Sequence, residues 1–146
     1  MQTILTPIQL YNLIFSLEEN YNPSVVRETD IAIAESRYLL PIVGEALYNR
    51  LLEGGYSDLR REYVVPMLCA WTRYLIEPLL NERCGLDHAT SALDAELLAR
   101  LRMVAMSYSR RLSDYLNSNV EEFAEYNPID NPLNHCSIDG NIVQIY

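Results

Sequence analysis

One apolar pattern in the second half of the chain constrains the fold most. Large apolar side chains recur at steps of three and four residues, at Leu93, Leu97, Leu101, Val104, Tyr108, Leu112 and Tyr115. These steps follow the α-helical period of about 3.6 residues and mark one side of a helix that faces a core. We therefore expect five of these residues to be buried against the helix that contains Trp71: Leu97, Leu101, Val104, Tyr108 and Leu112.

Cap and proline signals divide the rest of the chain into further helices. Thr6-Pro7 and Asn22-Pro23 each place a capping residue before a proline, and Gly54-Gly55 supplies a helix end. Pro66 and Pro78 lie inside an apolar helical pattern and predict bends there. The predicted helices cover about residues 7–19, 24–40, 41–53, 57–83 and 91–117, with one more short turn at 120–126.

The C-terminal twenty residues follow a different pattern. They contain two Asn-Pro breaks and the Asp139-Gly140 turn signal. They also carry apolar side chains up to the last residue. We predict an all-α bundle of five to six helices over residues 1–126 and an extended C-terminal arm over residues 127–146. The arm could add a strand to a neighbouring chain or fold back over its own bundle. We favour the first alternative, with residues 137–146 extended and in contact mainly outside their own bundle.

Charge and composition favour contacts with proteins. The net charge is −9, which argues against general nucleic-acid binding. All 11 basic residues are arginine, and there are 11 tyrosines. Arginine and tyrosine are enriched in protein interfaces, whereas lysine is depleted. Residues 120–146 carry five acidic residues and no basic one, so this segment could dock on an arginine surface. The candidate partner-binding residues are Ile138, Ile142, Val143, Ile145, Tyr146, Arg110 and Arg111.

The sequence offers little for catalysis. Cys69, Cys84 and Cys136 are far apart, and neither His88 nor His135 has a second ligand at metal-binding spacing. No glycine loop for phosphates is present. We expect no catalytic, cofactor or metal site and no enzyme activity. We also expect no signal peptide and no membrane span.

The stretch "DIAIAESRYLLPIVGEALYNRLL" resembles small helical head–tail connector (adaptor) proteins of tailed phages, of the lambdoid type and of phages and prophages of Bacteroides-type bacteria. The residues that carry the resemblance are Ala34, Glu35, Tyr38, Pro41, Gly44, Leu47, Tyr48 and Leu51. A second similarity covers "YLNSNVEEFAEYNP", residues 115–128, which is similar to the end of the last long helix in that family.

This resemblance implies a structural virion protein. It implies a homo-oligomeric ring, commonly of twelve copies, that bridges the portal to tail components and through which DNA passes without specific binding. C-terminal arms in such rings often reach a neighbouring subunit or the portal, and no catalytic residues carry over. The implied location is the virion neck after assembly and the host cytoplasm when the chain is made. The alternative is a small helical regulatory protein that binds a bacterial partner through a tyrosine- and arginine-rich face.

Overall fold

The chain forms an all-α bundle followed by one small β-hairpin. The computed structural model describes residues 2–15, 21–83, 94–139 and 142–145. The helices are α1 (Pro7–Ile14), α2 (Glu28–Ala34), α3 (Leu40–Leu52), α4 (Ser57–Leu59), α5 (Val65–Ile76), α6 (Leu80–Arg83) and α7 (Ala95–Ser118). Two π-helical turns, Glu35–Leu39 and Arg60–Val64, and the 3₁₀ turn Glu77–Leu79 join some of these helices end to end. The described residues therefore hold four long helical segments, and the predicted count of five to six helices is not confirmed.

Several predicted boundaries match the structure. Thr6 and Gln9 form a capping box, in which the Thr6 Oγ1 accepts from the Gln9 N–H at 3.3 Å and the Gln9 Oε1 accepts from the Thr6 N–H at 3.0 Å. Pro78 lies in the 3₁₀ turn between α5 and α6, where a break was expected. Helix α1, however, ends at Ile14 because Phe15 is extended, and the rest of the predicted helix, to residue 19, lies outside the described residues.

Helix α3 is bent in its first half. Gly44 has φ +81° and ψ 163°, which is not a helical conformation. The segment before Gly44 continues α2 through the π-helical turn, and the segment after it carries Leu47 and Leu51, which are fully buried. Val43, Leu47 and Leu51, which recur every fourth residue, all lie in the core, although the bend at Gly44 interrupts the helix between Val43 and Leu47.

Helix α5 lies at the centre of the bundle and packs against α1, α2 and α7. Trp71 is its main anchor and is only 2% exposed. Its indole N–H donates to the Ser109 Oγ of α7 at 2.8 Å. Its ring stacks on Tyr38 with centroids 3.6 Å apart and planes 6° apart. One side chain therefore joins α5 to α7 and to the π-helical turn Glu35–Leu39.

The predicted buried side of α7 is wrong for most of its residues. The buried residues of this helix are Ala105, Ser109, Leu112, Ser113 and Leu116. Of the expected residues, Leu112 is buried, Leu97, Leu101 and Tyr108 are half-buried, and Val104 is 50% exposed. Small residues at positions four apart let α7 approach α5 closely, and large side chains flank that contact. A pattern of large residues alone therefore misplaces the centre of the buried face.

The segment after α7 folds back onto the bundle. Residues Pro128–Asp130 and Pro132–Asn134 form 3₁₀ turns, and Asn131 between them is completely buried. The Asn131 Nδ2 donates to the Ser113 Oγ and to the Tyr126 hydroxyl, both at 2.9 Å. The arm predicted to begin at residue 127 is thus shorter, because this polar network ties residues 127–134 to α7.

The extended part is a hairpin. Strand β1 (Cys136–Asp139) pairs antiparallel with strand β2 (Ile142–Ile145). The register places Ile138 opposite Val143 and Cys136 opposite Ile145. The prediction of extended backbone is confirmed for both strands, but they pair with each other and do not form one continuous strand. Gly140 and Tyr146 lie outside the described residues.

Candidate partner-binding cleft

A row of four aromatic rings lines one side of the bundle. Tyr63 comes from the π-helical turn Arg60–Val64, and Tyr115 comes from α7. Their rings are stacked, with centroids 4.1 Å and planes 17° apart. Tyr115 then contacts Phe123 at 5.9 Å, and Phe123 contacts Tyr56 edge to face at 5.0 Å. Such pairs add stability beyond their apolar area and hold the rings in fixed positions.

Arginines lie at both ends of this row. The Arg111 guanidinium carbon is 5.2 Å from the Tyr63 ring centre, and that of Arg50 is 5.9 Å from the Tyr56 ring centre. Both distances fall within the range of cation–π contacts. Arg110 and Arg111 are exposed, and no ion pair joins either of them to a carboxylate of the described residues.

An open cleft of about 520 Å³ lies beside the stacked tyrosines. The residues that line it are Tyr63, Ser107, Arg110, Arg111, Asp114, Tyr115 and Ser118. A second cleft of about 360 Å³ adjoins it and shares Tyr115 as a wall, with Asp58 and Glu122 among its lining residues. We call the two together the tyrosine cleft. Its first section is lined by Arg110, Arg111 and Asp114, and its second section is lined by Asp58 and Glu122.

Local pKa shifts agree with this distribution of charge. Burial raises the pKa of Tyr115, and the negative charges of Glu122, Glu62 and Asp58 raise it further. At the far end of the row, the Tyr56 hydroxyl donates to the Glu125 Oε2 at 2.6 Å. This hydrogen bond raises the pKa of Tyr56 and lowers that of Glu125. Both tyrosines therefore lie in the field of neighbouring carboxylates.

The residues that carry the first similarity, from Ala34 to Leu51, form a unit around Glu35 that packs on α5 through Tyr38. Glu35, in the first π-helical turn, is only 1% exposed. Its carboxylate accepts from the Tyr48 hydroxyl at 2.5 Å and from the backbone N–H of Ile4 at 2.8 Å. Burial raises the pKa of Glu35, while these hydrogen bonds and the nearby charge of Arg60 oppose that rise. The bend at Gly44 lies between Glu35 and Tyr48 in the chain, and their hydrogen bond joins the two sides of it.

This unit also holds the N-terminal segment. The Ile4 N–H donates to Glu35, and the Ile4 carbonyl accepts from the Arg60 Nη2 at 2.5 Å. Ile4 and Leu5 are buried. Both polar groups of the Ile4 backbone are therefore satisfied by side chains, as buried backbone requires.

An apolar groove runs between α1 and α5. Its lining includes Leu13, Val65, Cys69 and Tyr108. Burial raises the pKa of the Cys69 thiol to about 11, so the thiol stays protonated at neutral pH and is a poor nucleophile.

The structure places the predicted candidate residues in two groups. Arg110 and Arg111 lie together in the tyrosine cleft. Ile138, Ile142, Val143 and Ile145 lie in the paired strands of the hairpin. Sequence analysis missed Tyr63 and Phe123 as neighbours of Tyr115, because their contacts join segments far apart in the chain. In the sequence, only the abundance of tyrosine pointed to an aromatic cluster.

Neither the described side chains nor the comparisons with known proteins assign a role to these two surfaces. Among the side chains described by the structure, no group of three His, Cys, Asp or Glu residues could hold a metal ion. The His135 Nε2 lies 2.6 Å from the Ile129 carbonyl oxygen, and Cys84 and His88 lie outside the described residues. Within the described ranges, no helix is long and apolar enough to cross a membrane. No protein-family model, no curated protein and no solved structure matches the chain.

Proposed function

We propose that this chain is a structural virion protein, a head–tail connector or adaptor subunit that bridges the portal to tail components of a tailed phage. The observation that carries the proposal is the unit around Glu35. The residues that carry the first similarity, from Ala34 to Leu51, lie in one contiguous unit, in which Glu35 binds Tyr48, Tyr38 stacks on Trp71 and Gly44 provides the bend. Residues that act together in this way support a resemblance of folded structure and not only of composition.

Two surfaces are suited to assembly. The tyrosine cleft presents rigid aromatic rings and arginines, which are the residue types enriched in protein interfaces. The hairpin has an outer edge on each strand, and an extended edge can pair with a strand of another protein. We propose that the hairpin connects subunits in a homo-oligomeric ring, commonly of twelve copies, and that the ring binds the portal and tail proteins.

The charge of the chain suits a channel for DNA. With a net charge of −9, a ring of such subunits would repel phosphate, so that DNA could pass without being held. In this proposal the protein is made in the host cytoplasm and resides in the virion neck. It has no catalytic role.

The test is reconstitution with the portal protein encoded in the same genome. Negative-stain images of the mixture should contain portal rings with an added layer of density, and the layer should be lost when residues 136–146 are deleted. Arg102→Glu, which changes an exposed arginine of α7 outside the cleft, serves as the matched control and should leave the layer intact. Portal rings that remain bare with the unaltered chain at high excess would refute the proposal.

The alternative is a small regulatory protein that binds a bacterial partner through the tyrosine cleft. The cleft itself favours this alternative, because it needs neither a ring nor the hairpin. The two proposals differ in the mass of the assembly. A one-to-one complex with a host protein, and no ring with the portal, would support the regulatory role.

A further inference from the structure

The tyrosine cleft carries opposite charges in its two sections. The first section holds Arg110 and Arg111 against one carboxylate, that of Asp114. The second section holds the carboxylates of Asp58 and Glu122 and has no basic lining residue. Asp58 is partly neutralised by Arg61 at 3.1 Å, whereas Glu122 has no ion-pair partner within the described part of the chain. Tyr115 forms a wall of both sections.

A face with this arrangement is complementary to itself. If a second copy is turned by 180° about an axis beside Tyr115, its acidic section meets the arginines, and its arginines meet the acidic section. Each charge pair then occurs twice, as the symmetry of such a contact requires.

We propose that the tyrosine cleft is a two-fold contact between two copies of this chain, with Tyr115 at the axis. The inference does not depend on the connector role, because it concerns the free protein. The aromatic row supplies the apolar centre of the contact, and the arginines and carboxylates lie on either side and fix its orientation.

A specific contact must cover enough of the surface of each partner. A standard interface covers about 800 Å² on each partner. The chain exposes 9038 Å² in total, so such a contact would take up roughly a tenth of its surface. We expect a reversible dimer that is weakened by salt, because part of its energy is electrostatic.

The experiment measures mass as a function of concentration by analytical ultracentrifugation. The unaltered chain should shift from 16.8 kDa toward twice that mass. Arg110→Glu and Glu122→Arg should each weaken dimerisation at least tenfold, because each brings like charges together at both ends of the contact. Arg102→Glu makes the same charge change on an exposed part of α7 outside the cleft and should leave the dimer unchanged.

Mixing the two charge-reversed variants gives the decisive comparison. In a two-fold contact, the mixed dimer has one reversed pair and one original pair, so dimerisation should return to near the original strength. Thermal melts of each variant would verify that the fold is intact. A single mass of 16.8 kDa at every concentration would overturn the proposal, and so would a mixture that stays as monomeric as its components. A ring would instead give masses above the dimer, which separates this test from that of the connector role.

Discussion

Replacing Gly44 with alanine tests the bend in α3. Gly44 has φ +81° and ψ 163°, a region that only glycine occupies without strain. A Cβ atom added there would meet no other atom within 4 Å. The cost of the substitution therefore comes from the backbone alone, and it should be about 1–3 kcal/mol of the free energy of unfolding.

The sign of the effect distinguishes the bend from a straight helix. In the interior of a regular helix, the same substitution would stabilise the protein by about 1 kcal/mol, because alanine is the better helix former. We therefore expect the thermal midpoint to fall by about 3–10 °C, whereas a straight helix would give a rise.

Urea unfolding, followed by fluorescence of the single tryptophan, Trp71, would give the free energy directly. Ala46→Gly, on the exposed side of the same helix, is the control and should cost about 1 kcal/mol by helix propensity alone. A Gly44→Ala variant that is more stable than the unaltered chain would refute the bend and the argument from it.

Three further predictions follow from the core, the C-terminal segment and the buried carboxyl. Leu112→Ala should cost about 2–5 kcal/mol in urea unfolding, and Val104→Ala less than about 0.5, since only Leu112 is buried. Deleting residues 136–146 should leave the thermal midpoint nearly unchanged. Deleting residues 127–146 should lower it by several degrees, because the buried polar network is lost. Equal midpoints for the two deletions would contradict the boundary between the docked segment and the hairpin. Burial raises the pKa of Glu35, so the folded state keeps a proton that the unfolded state has lost, and stability should fall as the pH rises above the ordinary carboxyl range. Glu35→Gln should remove that slope in pH-dependent melts, and an unchanged slope would assign it to other groups.

Local chemistry predicted the start of α1 but neither its end nor the start of α2. Thr6 and Gln9 cap α1 as expected, and Asn127 and Asn131 each cap a 3₁₀ turn that begins with proline. These features depend on residues within three or four positions of one another, so the sequence alone contains them.

Contacts between distant segments were not predictable in the same way. The burial of Asn131 depends on Ser113 and Tyr126, and the stack of Tyr63 on Tyr115 depends on how α7 lies across the π-helical turn. The buried side of α7 was misplaced because Ser109 lies at its centre, where it accepts from Trp71. The residues next to Ser109 in the sequence do not reveal whether this serine is buried or exposed.

The two π-helical turns have a consequence for how such a surface could evolve. A π turn accommodates one residue more than an α turn, so it rotates the helix on one side by about 100° relative to the other. In the turn Arg60–Val64, Tyr63 faces the cleft while Trp71, farther along, still reaches Ser109. A single inserted codon can thus redirect one end of a helix and leave the packing of the other end intact. Insertions of this kind would change the partner-binding surface more readily than they change the core.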